Sequence, residues 1–151
     1  MSEATMIALD TNVLLRHLYT ADDPNQSALA SALIERARGR DETVYLSGMV
    51  LCELVWTLRS AFDLPRSDVL AVLQRILTER QNPAAEDESP ALFVIPDRDL
   101  VQQAVDDHAS GQADFADYLI GRLAHHAGVT TTYTFDRKAA AAPTFKHVRP
   151  G

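Results

Sequence analysis

At 151 residues the chain has the length of one domain, enough to take roughly 70% of its unfolded surface out of water. A hydrophobic fraction of 46% with 23% charged residues excludes a disordered tail, and a lone cysteine, Cys52, excludes an internal disulfide. Twenty-one acids against fourteen Lys and Arg leave a net charge of −7, which counts against a broad basic grip on nucleic acid. In chain order, "MSEATMIALD" offers neither a basic leader nor a long apolar run, so a reducing cytoplasm and no membrane are expected. Within it "ATMIAL" reads as a short strand and "NVLLRHLY" as one or two helical turns.

Asp23 and Pro24 have the chemistry of a helix cap and first helical residue. Ala28, Leu29, Ala32, Leu33 and Ala37 then recur at helical spacing up to Gly39, which predicts an amphipathic helix with those residues inward. "TVYLS" (43–47) alternates as a strand, and Ser47 is placed to cap a helix whose core face is Leu51, Leu54, Val55 and Leu58. Val69, Leu70, Leu73, Ile76 and Leu77 mark the next helix. "RQNPAAEDESP" (80–90) holds two prolines and no large apolar residue, and reads as an exposed, mobile loop inside a single domain spanning 1–151. "ALFVI" is a strand; "PDRD" opens a helix with Leu100, Val101, Ala104, Val105 and His108 inward and Gly111 at its end. A helix from Asp114 to Gly128 and a threonine-rich strand, "VTTTYTF", follow. Strands alternating with helices at this scale predict an α/β fold with a parallel sheet covered on both faces.

Such sheets bind ligands beyond the carboxyl ends of their strands. Asp10 and Asp136 stand at two of those ends, Glu53 interrupts an apolar helix, and Asp114 and Asp117 are spaced to share one helix face. Each acid alone has a plainer explanation: Asp10, Asp114 and Asp136 as caps or turn residues, Asp117 as a favourable charge at a helix start, Glu53 as an outward-reaching edge residue. Their concentration at one topological edge favours an acidic pocket. Carboxylates brought together repel unless a cation neutralises them, and a donor set made only of oxygen selects Mg²⁺ or Mn²⁺ over zinc. Metal-assisted phosphodiester hydrolysis is the chemistry such a pocket supports.

Read together, "IALDTNVLLRHL" with "DDPNQ", "ELVWTL", "GQADFADYLIGRLAHHAG" and "TFDRKAA" resemble the PIN-domain nucleases, and within them the VapC-type toxins of toxin–antitoxin pairs. The resemblance spans nearly the whole chain. It implies an α/β/α sandwich with a central parallel β-sheet, endoribonuclease activity on single-stranded RNA, a divalent ion, a homodimer and inhibition by a small cognate VapB-like antitoxin. Carried over by position, the acidic core is Asp10, Glu53, Asp117 and Asp136, with Asp114 an additional acid of the same pocket. Asp10 and Asp117 are the expected direct metal ligands, with Glu53, Asp114 and Asp136 completing the pocket, ligating through water or orienting the attacking water. Thr11, Asn12 and Thr134 are similar to the family's polar residues that orient the acids. The 80–90 loop is longer than the family pattern, and few cations are left for RNA: Arg16, Arg59, Arg122, Arg137 and Lys138 are the candidates. Leu14, Leu15, Leu18 and the second helix are candidates for an apolar groove that takes an antitoxin segment, and simple core burial explains them as well.

Other features have plainer readings. His125 and His126 diverge by about 100° on a helix and cannot share an ion. Cys52 reads as a small buried hydrophobe, and Trp56 and Tyr118 as core aromatics. Two rival functions use the same fold elements: a receiver-like signalling domain with Asp97 as phosphoacceptor and Lys138 as its partner, and a domain that keeps the fold but only binds.

Overall fold

Most of the strands and helices form where the apolar spacing places them. A computed structural model describes residues 5–150, except the side chains of Glu86 and Asp87; Ala4, the first residue of the expected opening strand, and the other leader positions 1–3 lie outside the described residues. The chain divides into two compact units, one ending at Pro96 and the other beginning at Asp97.

In the first unit, β1 (Met6–Ala8), β2 (Thr43–Tyr45) and β3 (Phe93–Val94) pair in parallel, with β2 central and Ile7 opposite Val44, Val44 opposite Phe93. Parallel neighbours need long crossovers, and helices supply them: α1 (Thr11–Leu18) and α2 (Pro24–Gly39) after β1, α3 (Gly48–Ser60) and α4 (Arg66–Thr78) after β2. The starts of α1, α2 and α3 are set locally. Asp10, Asp23 and Ser47 sit in extended backbone and their side chains accept from Val13, Gln26 and Val50 N–H respectively. Leu14, Ile34, Leu46, Leu51, Leu54, Leu58, Leu73, Ile76 and Leu92 are at most 1% exposed and belong to the core of this unit.

Three expectations change here. The inward face of α2 is Ser27, Ala30, Ile34 and Ala37, not the stripe through Ala28 and Leu29; Leu29 is 73% exposed. Turning the helix this way buries Ile34, the one β-branched apolar residue it carries, and leaves Leu29 outside. The 80–90 segment is not a free loop. Its neck is closed by an Arg80–Ala91 bridge and by Gln81 N–H donating to the Pro90 carbonyl, and a 3₁₀ turn spans Pro83–Glu88. Arg38 of α2 donates to the Arg80 and Gln81 carbonyls and pairs with Glu79 at 2.6 Å, so a charged side chain 88% removed from water staples the segment. Trp56 is no core aromatic either, being 70% exposed on α3.

The second unit begins with Asp97 in the left-handed region (φ 53°), followed by α5 (Arg98–Ser110), α6 (Phe115–His126), β4 (Thr132–Thr134), a single turn α7 (Arg137–Ala140) and β5 (Phe145–His147). The α5 and α6 helices pack together, with Val101, Ala104, Val105, Phe115 and Leu119 buried, and His108 is buried edge-on to the Phe115 ring. Tyr118 is buried as expected, its hydroxyl accepting from Ala113 N–H. β4 and β5 pair in parallel, Tyr133 opposite Lys146. Neither α7 nor β5 is marked by apolar periodicity: each is three or four residues long. β5 is seated instead by Phe145, whose ring lies over Gly121 of α6 where a Cβ would stand only 2.2 Å from it.

The α/β class with parallel strands follows the sequence reading. Among the described residues no helix is long and apolar enough to cross a membrane.

Candidate active site

Each unit carries its own share of the conspicuous acids. In the first, β1 delivers Asp10 to the start of α1, where Oδ1 accepts from Val13 N–H at 3.0 Å. The capping explanation is therefore real, but it uses one carboxylate oxygen; Oδ2 is not spent on the cap. Glu53 stands on the exposed side of α3, beside Cys52 and Leu54. Its Oε2 accepts from the Thr11 hydroxyl at 3.1 Å, and Thr57 donates to its backbone carbonyl. Asp10, Thr11, Asn12, Val50, Glu53 and Thr57 line a cleft of about 410 Å³. Asp10 and Glu53, 43 positions apart in the chain, are thus brought to one wall by the α1–α3 contact.

In the second unit Asp114 precedes α6 and makes no side-chain cap bond, which leaves its carboxylate uncommitted to the helix. Asp117 lies one turn on, half-buried. Burial, then the charges of Asp114 and Asp136, push the Asp117 carboxyl above the ordinary carboxylate range, against the pull of a backbone hydrogen bond at Asp114. Asp136 caps α7, its Oδ1 accepting from Lys138 N–H at 2.7 Å and Ala139 N–H at 3.3 Å. Thr134 accepts from Asp136 N–H at 3.0 Å and so fixes the backbone that carries the acid. Asp117 therefore feels two neighbouring carboxylates in this unit.

The donor chemistry suits a hard divalent ion: all five candidates offer oxygen, and neither histidine nor thiol stands among them. Cys52 is half-buried, and burial pushes its thiol above the usual range, which makes it a poor thiolate ligand or nucleophile. His125 and His126 are exposed. Among the described residues no group of three or more His, Cys, Asp or Glu side chains stands ready to surround a metal. Mg²⁺ retains several waters and needs only one or two direct carboxylates, so the remaining acids can act across water.

The candidate cations divide into two kinds. Arg16 is committed to Asp22 at 2.5 Å and Gln26 at 2.8 Å, and Arg122 grips both oxygens of Asp107 at 2.8 Å. Arg59, Arg137 and Lys138 are exposed and form no ion pair with any described residue. Sequence reasoning missed the Asp107–Arg122 pair, since a separation of 15 residues crosses a helix boundary and leaves no periodic trace. A receiver-like reading gains nothing from Asp97, which turns the chain into α5 at φ 53°.

Compared with known protein families, residues 7–144 match the one described as the PIN domain. No curated protein matches the chain.

Proposed function

The chain belongs to the PIN-domain family, whose members are generally nucleases that use divalent ions, and from that premise we propose that it is a Mg²⁺- or Mn²⁺-dependent endoribonuclease of single-stranded RNA, the VapC-type toxin of a toxin–antitoxin pair. The observation that carries this reading is the half-buried Asp117 with Asp114 and Asp136 near it: burial first, then those two charges, raise its proton affinity. Folding like charges together costs stability, and a ligand of opposite charge is what makes that arrangement useful.

By the resemblance, Asp10 and Asp117 are assigned as direct ligands, with Glu53, Asp114 and Asp136 as the accompanying acids. When bound, the ion supplies Lewis acidity to the phosphoryl group. The chain's own residues do the positioning. Val13 N–H holds one oxygen of Asp10 and so aims the other; the Thr11 hydroxyl holds Glu53; Thr134 fixes the backbone of Asp136. Polar neighbours that orient ligands in this way are worth about 10–100-fold in affinity or activity. Thr11→Val, which keeps the shape and deletes the donor, is therefore expected to lower cleavage about tenfold with the melting temperature nearly unchanged. Equal cleavage by the two proteins would remove Thr11 from the site.

The antitoxin assignment draws on a groove in the first unit, about 280 Å³, where Val13, Leu29, Ala30 and Leu33 present an apolar floor beside Asn12 and Arg16. It fits the apolar face of a short amphipathic helix. Leu14 and Leu15, expected there, are buried in the core, and the exposed Leu29 takes their place. Cytoplasmic location and a homodimer belong to the same proposal and rest on the resemblance to the toxins.

The test is incubation of the purified protein with single-stranded RNA and Mg²⁺ or Mn²⁺. Internal cleavage, lost in Asp10→Asn, is the expected result. Absence of cleavage with either ion, across RNAs of varied sequence, would leave a domain that only binds.

A further inference from the structure

Resting on the ribonuclease reading, the question left open by a net charge of −7 is what holds the strand. We infer that the cleft of the second unit beside α7 is a nucleotide subsite, in which Arg137 and Lys138 hold the phosphate and Gln112 with Pro143 receives the base or sugar of a residue adjoining the scissile phosphodiester.

The cleft has a volume of about 470 Å³, inside the range of about 300–1,000 Å³ typical of small-ligand sites. Arg137, Lys138, Gln112, Ser110 and Pro143 line it. Its two cations follow Asp136 directly in the chain, and Lys138 N–H is bonded to the Asp136 carboxylate, so the cleft begins where the acidic centre ends. No described carboxylate pairs with either cation. Their charge is therefore available to a phosphate, which an arginine recognises through its fork and a lysine as a point charge.

One acid does line the cleft, and the structure disarms it. Asp107 gives both oxygens to Arg122 at 2.8 Å, and the pair stands at the boundary with a smaller adjoining cavity of about 210 Å³. A bidentate guanidinium cancels the charge that would otherwise repel RNA. Arg122 acts here as a positioning and screening residue rather than as an RNA contact. Ala142 and Pro143 of the lining belong to a turn, Ala142–Phe145, closed by Phe145 N–H donating to the Ala142 carbonyl at 3.2 Å, with Pro143 second and Thr144 third at φ 72°. That is the geometry of a type II turn, whose third position normally takes glycine. A β-branched residue there is strained and persists only where the surroundings impose it. The consequence is a rigid proline face on the cleft, against which a base or ribose can lie. Gln112 is exposed and offers both a donor and an acceptor to a base edge.

The test measures binding apart from cleavage. A fluorescein-labelled single-stranded decaribonucleotide is titrated with intact protein in Ca²⁺, over a KCl series, and followed by anisotropy. Arg137→Ala with Lys138→Ala is expected to weaken binding at least about tenfold and to lower the slope of log K against log salt by about 1.4, two phosphate contacts at roughly 0.7 each. Lys146→Ala, the loss of one cation on β5 of the same unit and outside the cleft, should leave the slope unchanged. Ala141→Trp fills the cleft while keeping both cations and should weaken binding comparably; melting curves confirm that each variant is folded. A double variant that binds like the unaltered protein overturns the subsite, and so does full binding by Ala141→Trp, which would leave only surface charge. If the unaltered protein binds no RNA, the ribonuclease reading falls and the subsite with it.

Discussion

Asp117→Asn is expected to lower RNA cleavage by at least about 10²-fold, the scale of losing one preorganised charge-stabilising group, and at the same time to raise the melting temperature of the metal-free protein by roughly 1–3 °C. The two effects have one source. Burial and the charges of Asp114 and Asp136 make the folded chain hold the Asp117 proton more tightly than the unfolded chain does. With more protons bound in the folded state, stability is greatest below the ordinary carboxylate value of 3.8 and declines as pH rises through the raised one. At neutral pH the ionised Asp117 is a cost, modest because the side chain is only half-buried and solvent screens it. Asparagine imitates the protonated acid and removes the cost. Cleavage assays paired with thermal melts in EDTA at pH 4 and pH 7.5 check this: the stabilisation should appear at pH 7.5 and shrink at pH 4. A variant that melts lower at pH 7.5 while its activity is intact would contradict the assignment on both counts.

The second large effect is ion removal. Chelation is expected to abolish cleavage, and Mg²⁺ returned at about 100 times its Kd should stabilise the folded protein by about 2.7 kcal/mol through mass action. Asp117→Asn should lose most of that response, because the carboxylate repulsion that the ion relieves has been dismantled. The pair of melts separates specific binding from a general salt effect. Equal rises in both proteins would point to screening of the net charge of −7 rather than to an ion held at Asp117.

These expectations join residues with very different visibility in the chain. The caps were legible because a cap is a local device: Asp10, Asp23 and Ser47 reach N–H groups three residues ahead, and Asp136 does so two and three ahead. So were the core faces of α3 and, apart from the half-buried Leu100, of α5, where large apolar residues at helical spacing leave one choice of side. On α2 the same rule misled. Alanine and leucine occupy so many positions that several stripes compete, and packing chose the one through Ser27 and Ile34. Trp56 shows the converse, a large aromatic left outside because the α3 core face was already filled by Leu51, Leu54, Val55 and Leu58.

The sequence by itself determined the α/β class, the parallel strands, the caps and which acids are out of place, because these depend on residues within four positions of one another or on hydrophobic period. Only the tertiary structure decided that Thr11 meets Glu53 across 42 positions, that Arg38 staples the 80–90 segment, that Arg122 silences Asp107, and that Asp117 feels Asp136. Such pairings depend on the path of the chain between the partners. Hydrogen bonds and charges act over a few ångströms, and no local spacing encodes which distant groups the fold will bring that close.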